Sequence, residues 1–464
     1  MREPLWLAED AARATGGRLT GKDSWLAAGV SIDTRTLEPG DLFVALKDVR
    51  DGHEFVQAAF ARGASAALIS NKDAATHGPC LLVPDVLQAL ADLADAARTR
   101  SQARRIAITG SVGKTSTKEA LALCLAASGA THASVLSYNN HWGVPLTLAR
   151  MPRSTQFAAF ECGMNHRHEI LPLSQLVRPH VAIVTWIAPA HIENLGSLEA
   201  IAEEKADIYA GLENEGVAIV PNEAPHASTL INNAERGASH IVRFGREQGC
   251  EARLLSFEPV EGGAIAQADI LGRQLRYRIG AEGAHWALNS LAALAAAEVA
   301  GADLKAAAHS LADLRPLAGR GRAHTIAAAA GTITLIDDAY NANPASMAAA
   351  FETLANRPAT APFRKIAALG DMLELGQDSA AYHAGLAAPI EAAGLDLVFC
   401  AGPMMRALYE QLPGSRRGGY AESSTALVPL LQAALRDGDI ILIKGSNGSQ
   451  MGRVVDALMQ SSKA

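Results

Sequence analysis

Residues 107–121, AITGSVGKTSTKEAL, place a lysine and a threonine directly behind two glycines. That combination can cradle a phosphate. Glycines let the backbone approach the anion closely, and a helix starting behind them offers free N–H groups and a positive dipole end. The general signature is G-x-x-x-x-G-K-S/T. Counted back from Gly113, its first glycine would fall at 108, where Ile108 stands; the glycine is Gly110. The candidate cradle is Thr109, Gly110, Ser111, Val112, Gly113, Lys114, Thr115 and Ser116. In it Lys114 would reach the β- and γ-phosphates and the Thr115 hydroxyl would hold Mg²⁺. An ordinary glycine-rich strand-to-helix turn with a surface lysine is the alternative.

Further groups capable of chemistry lie at the ends of apolar runs. Glu161 ends QFAAFE, where a carboxylate can coordinate a nucleotide's Mg²⁺ or simply face solvent. His191 follows VAIVTWIAPA. Lys205 sits in SLEAIAEEKADIY among Glu203, Glu204 and Asp207, and on these residues alone reads as a solvated helix lysine. Arg320 and Arg322 in LAGRGR could clamp phosphates across a cleft, or serve only as solvated linker residues. LIDDAYNANPASM, residues 335–347, puts two aspartates at a strand end before a polar loop, which favours a site over a plain turn. Lys444 in IILIKGSNGS offers a second phosphate contact or a plain strand-to-turn lysine.

The elements that must position these groups can be read from hydrophobic patterning. RIAIT ahead of the glycine loop is a short β-branched run, and a helix follows from about Thr115. QFAAFEC, HVAIVTWI and GVAIVPN read as further strands alternating with helices, which implies a mostly parallel sheet covered on both faces. Residues 1–102 form a smaller α/β block with strands at 40–46 and 65–70, a helix at 53–64 and a long amphipathic helix ending in a basic segment. DLRPLAGRGR, residues 313–322, has the proline, glycine and charge of a linker. A second open α/β sheet follows, with strands in GTITLIDDAY, KIAALGDM, LDLVFCAG and GDIILIKGS. The expected fold is therefore α/β in three domains, 1–102, 103–316 and 317–464, the last Rossmann-like. The length of 464 residues agrees with about three domains of ~150 residues.

Composition narrows the partners. Charged residues at 19% and hydrophobic residues at 49% suit a globular protein. A net charge of −7 argues against nucleic acid or an anionic membrane. The sequence contains no long uncharged apolar run and no apolar core near its start, so neither a transmembrane helix nor a signal peptide is expected. Five scattered cysteines without a C-x-x-C read as reduced, hence cytoplasmic.

Together these stretches resemble the Mur ligase family of ATP-dependent peptidoglycan amide ligases, from SIDTRTLEPGDLFVAL (31–46) to ILIKGS (441–446). TGSVGKT is similar to the family's compressed loop T-G-S/T-x-G-K-T, and YNNHWGVPLTL, AHIENLGSLEAIAEEKADI, GAHWALNSLAA and DDAYNANPASM resemble its other blocks. The last block, with LGDMLELG, resembles the member that adds D-alanyl-D-alanine to UDP-N-acetylmuramoyl-tripeptide; the D-N-P-R motif of the third-residue-adding member is missing.

The resemblance implies an acyl-phosphate ligase of cell-wall synthesis, a cytoplasmic monomer using ATP and two Mg²⁺ ions. It implies catalytic roles for Lys114, His191 and Lys205, and metal contacts from Thr115, Glu161, His191 and a carbamylated Lys205. Nucleotide contacts would add Asn289, Arg320 and Asp338. Substrate contacts would be Ser31, Thr34 and Arg35 at the uridine diphosphate end, Asn139 and Asn140 at the muramoyl peptide, and Asn341, Asn343 and Ser346 at the dipeptide. Val112 and Asn447 depart from the residues usual in the family. The competing readings are another ligase of the superfamily, such as the third-residue-adding enzyme or folylpolyglutamate synthetase, a nucleotide switch or motor, and a non-catalytic nucleotide-binding scaffold.

Overall fold

The computed structural model describes residues 3–135, 137–328, 331–357 and 363–461. Three main sheets follow one another along the chain. The N-terminal sheet has five strands in the order Arg18–Thr20, Cys80–Leu82, Ala66–Ile69, Asp41–Val44 and Gly29–Ser31; only its first pair is antiparallel. A small two-stranded ribbon, Trp6–Leu7 with Leu26–Ala27, packs beside it.

The central sheet has nine strands. Arg104–Thr109 lies between Val181–Val184 and Phe157–Glu161, parallel to both. This strand is apolar on both faces because helices cover both. Ile106 and Ile108 enter one core and Ala107 the other, as the two-residue period of a strand requires. Beyond His240–Gly245 the sheet continues into Ala252–Val260, Gly263–Ile270 and Arg273–Ile279, the three joined as an antiparallel meander. Sequence patterning did not single out these three strands. The signal was present in the turns: Gly262, Leu271 and Gly272 all adopt positive φ, the geometry of tight hairpin connections.

The C-terminal sheet runs Arg322–Ala328, Gly331–Asp338, Ile440–Lys444, Lys365–Gly370, Leu397–Ala401 and Arg417–Ala421, antiparallel only at its first pair. Alternation again splits two cores, with Ala367 and Leu369 in one and Ile366 and Ala368 in the other. The helix expected at 53–64 is shorter, a 3-10 turn Gly52–Phe55 followed by Val56–Ala61. All five cysteines are free, and no helix of the described residues is long and apolar enough to cross a membrane.

Candidate active site

The glycine loop joins Arg104–Thr109 to helix Lys114–Ala126 at the carboxyl end of the central sheet. Gly113 is left-handed (φ 83°), and Gly110 (φ 148°) lies so close to Thr185 that a Cβ there would collide with its hydroxyl. Only glycine fits this pair of positions. Thr185, at the end of the neighbouring strand, accounts for the loop's shape: its Oγ1 donates to Thr109 O (3.1 Å) and Val112 O (2.5 Å), while Ser111 N donates to Trp186 O (2.8 Å). Thr185 was not among the candidates, although its place at a strand end beside the loop could have found it.

Lys114 Nζ donates to Gly110 O (2.6 Å), curling the side chain back over its own loop. Burial lowers its pKa; Glu161 opposes that effect and Arg320 adds to it. Thr115 Oγ1 donates to Glu161 Oε2 and Asn139 Nδ2 donates to Glu161 Oε1, each at 2.8 Å. Glu161 is 1% exposed, so it is no solvated strand-end carboxylate. Its charge is held by two hydrogen bonds, each worth about 1.5–3 kcal/mol. Asn139 thereby orients Glu161, and Asn140 Oδ1 accepts from Gly143 N (2.9 Å) at the start of helix Gly143–Ala149.

Lys205 corrects the reading from its local sequence. It is 0% exposed, and its Nζ has no hydrogen-bond partner. Burial drives its pKa well below the ordinary lysine value, the Lys114 charge pushes the same way, and Glu204 opposes them. Both lysines are pushed towards the neutral form, Lys205 more strongly. Helix Leu198–Ala206 looked solvated because its acidic residues suggest water; instead Glu204 is buried and caps helix Ile170–Val177, accepting from His168 N (2.7 Å), Glu169 N and Ile170 N (2.9 Å each).

His191 has a left-handed backbone (φ 58°) and its Nδ1 lies against Glu374 Oε2, at an angle outside hydrogen-bond geometry. Glu374, on the C-terminal domain, was not a candidate, and His191 holds its carboxyl below the usual range.

The C-terminal domain supplies the facing wall. Asp338 and Lys444 are register partners at two strand ends, and Lys444 Nζ donates to Asp338 Oδ2 (2.7 Å) and Asn341 O (3.0 Å). Lys444 is 3% exposed, buried rather than at a plain turn. Burial raises the Asp338 pKa, against the lowering effect of Lys444. Arg320 stacks on Tyr340 (4.1 Å to the ring centroid) and its Nη2 donates to Ser137 Oγ (3.1 Å), so it spans the two domains. Arg322 begins the edge strand Arg322–Ala328. Asn343 and Ser346 form a capping box on helix Pro344–Ala355: Ser346 N donates to Asn343 Oδ1 (2.9 Å) and Asn343 N to Ser346 Oγ (3.0 Å).

Most of these groups line one cleft of ≈ 1200 Å³ between the central and C-terminal domains. Residues 111–116, Asn139, Asn140, Glu161, His191 and Asn289 line one side, and Arg320, Asp338, Asn341, Asn343, Ser346 and Lys444 the other. A space of that size lies just above the roughly 300–1,000 Å³ of a single-ligand pocket and has room for more than one reactant. Lys205 lies beneath the lining. Ser31, Thr34 and Arg35 do not line it: Ser31 Oγ donates to Asp33 O (3.1 Å), and Arg35 is ion-paired to Asp33 (2.7 Å) on the N-terminal domain.

The donor set fits Mg²⁺. Among the described residues no cluster of three or more His, Cys, Asp or Glu could hold a metal. Mg²⁺ instead takes one or two carboxylates together with substrate phosphates and water. A hydroxyl–carboxylate pair beside a phosphate loop is such a set. The buried Thr109 and Ser111 hydroxyls also lack partners, as expected where a polar ligand binds.

Comparison with known proteins agrees with this geometry. Residues 27–98 match the description "Mur ligase family, catalytic domain", 108–297 "Mur ligase middle domain" and 321–447 "Mur ligase, glutamate ligase domain". The UDP-N-acetylmuramoyl-tripeptide–D-alanyl-D-alanine ligase of Escherichia coli is 35% identical over 96% of this chain and 96% of its own. Its Rickettsia prowazekii counterpart is 34% identical over 92% and 94%. The crystal structure of MurF from Acinetobacter baumannii superposes with a TM-score of 0.85 at 30% identity, covering 99% of both chains. With a matching fold, a matching loop and relatives aligned along nearly its whole length, the chain belongs to the Mur ligase family.

Proposed function

We propose that this chain is the ATP-dependent ligase that joins D-alanyl-D-alanine to UDP-N-acetylmuramoyl-tripeptide in cytoplasmic peptidoglycan precursor synthesis, acting as a monomer. The observation that carries the chemistry is the meeting of Lys114 and the Thr115–Glu161 pair in a cleft shared by two domains, with the buried, unpartnered Lys205 within reach of the Lys114 charge.

The tripeptide's terminal carboxylate attacks the γ-phosphorus of ATP; an O–P bond forms, and the bond to the ADP oxygen breaks. The neutral amine of the dipeptide then attacks the acyl carbon and loses a proton, and phosphate departs. Both reactants of the first step are anions. Lys114 and the free N–H groups of the loop oppose that repulsion in a site shielded from water, where charge interactions are strongest. Mg²⁺ bound at Thr115 and Glu161, with a second ion served by His191 and Lys205, would add further charge neutralisation. Lys205 reacts with CO₂ only as a free amine, and its burial near the Lys114 charge favours that form. The product is a carbamate, formed with loss of one proton, which turns a cationic side chain into an oxygen ligand.

Arg320, Asp338, Asn289 and Lys444, which line the cleft, would hold the nucleotide across it. Asn341, Asn343 and Ser346 lie on the wall assigned to the dipeptide. Ser31, Thr34 and Arg35 would hold the uridine diphosphate end on the N-terminal domain, residues 1–102, away from the chemistry. Residues 103–316 would carry the ATP site and 317–464 the dipeptide site. Closure of the domains excludes water, which would otherwise hydrolyse the acyl phosphate.

The test is phosphate release from ATP and UDP-N-acetylmuramoyl-tripeptide, with and without D-Ala-D-Ala. Release that depends on the dipeptide supports the assignment. Release indifferent to it, or supported by an L-amino acid in its place, would assign a different reaction.

A further inference from the structure

His191 is gripped from the C-terminal domain in three ways. Its Nδ1 faces the Glu374 carboxylate. The next residue, Ile192, packs against apolar cores of both the central and the C-terminal domains. The residue after that, Glu193, donates its backbone N–H to Glu374 O (3.2 Å), and Gly376 approaches its Cα. Both His191 (φ 58°) and Glu374 (φ 63°) are left-handed, although neither is glycine. Such a backbone costs of order 1–3 kcal/mol and persists only where surroundings over-determine it. Here two such residues meet at a domain interface, beside the phosphate loop, and the surroundings of each come from the other domain.

We propose that Glu374 is a positioning residue: the C-terminal domain uses it to seat the His191 ring in the cleft, so that the catalytic wall of the central domain is complete only when the two domains are docked. A carboxylate against one imidazole nitrogen holds the ring on that side and leaves the other nitrogen, Nε2, as the one turned away from Glu374. The central domain by itself holds Lys114, Thr115, Glu161 and Lys205, but among its described residues no side chain is hydrogen-bonded to or ion-paired with this ring. The inference rests on the ligase reading for its kinetic consequence, though not for its structural one.

The experiment compares wild type, Glu374→Gln, His191→Asn and the double variant. Glutamine keeps the size and removes the charge. Side-chain ¹⁵N NMR of histidine-labelled protein identifies the His191 signal as the one absent from His191→Asn. In wild type that signal is single and sharp, as for a ring held in one orientation; in Glu374→Gln it shifts and broadens as the ring is released. Ligation by Glu374→Gln falls about 10- to 100-fold in kcat, while KM for ATP and dipeptide shift less than about threefold. Adding Glu374→Gln to His191→Asn causes no further loss. An unmoved His191 signal, an unchanged kcat or losses that multiply in the double variant would each overturn the proposal. If wild type shows no dipeptide-dependent release, the ligase reading fails by itself, and the NMR comparison still decides the role of Glu374.

Discussion

Lys205→Met separates stability from catalysis. The wild-type amine is fully buried and unpartnered. An unsatisfied buried polar group costs about 1–3 kcal/mol, and methionine keeps an unbranched chain of similar length without it. The variant is expected to be more stable by about that amount, roughly 2–4 °C per kcal/mol for a unit of 150–250 residues. The gain depends on pH, and its sign is fixed. Burial holds the folded-state pKa of Lys205 below its unfolded value of about 10.4. Between those two values the unfolded chain binds more protons, so wild-type stability rises with pH. The advantage of the variant is therefore largest at the low end of the window and shrinks upward, by at most about 1.4 kcal/mol per pH unit. Urea unfolding in bicarbonate-free buffer from pH 7 to 9 measures it. Bicarbonate with Mg²⁺ should raise the wild-type midpoint and leave the variant unchanged, because only lysine can form the carbamate. Ligation by the variant should fall by more than about 100-fold. A variant less stable than wild type throughout that range, or one that ligates normally, refutes the reasoning.

Lys114→Ala should lose about 100- to 1,000-fold in kcat, since it removes the cation that faces the transferred phosphoryl group; turnover near wild type in the phosphate-release assay would exclude that role. Thr115→Val keeps the shape but strips Glu161 of one donor. It should cost about 1–3 kcal/mol in urea unfolding and raise the Mg²⁺ concentration for half-maximal activity, and an unshifted Mg²⁺ titration would count against Thr115 as a ligand. Asn343→Ala breaks the capping box and should cost about 0.5–2 kcal/mol. It should also raise KM for D-Ala-D-Ala; stability loss with an unchanged KM would leave Asn343 as a helix cap alone.

The phosphate loop was legible because everything that defines it is local. A β-branched strand, two glycines with special backbone angles and a helix start fall within a few residues. The alternation of apolar strands with helices likewise announced two mostly parallel sheets, because burial on both faces imposes continuous apolar runs. Asp338 and Lys444 could each be marked as strand ends, but their pairing depends on which strands lie side by side.

What the sequence determined by itself, then, was the chemical kit and the class of scaffold: residue types at strand ends, and periods of hydrophobicity that depend only on neighbours along the chain. The environment of each group was decided in three dimensions. Lys205 sits in a helix whose acidic residues suggest water, yet packing buries it and turns Glu204 into a cap for another helix. Glu374 meets His191 only because two domains dock. Asn343 and Ser346 spend hydrogen bonds on each other at a helix start. Burial and partnership are set by segments distant in sequence, and they shift the titration of a lysine and seat an imidazole.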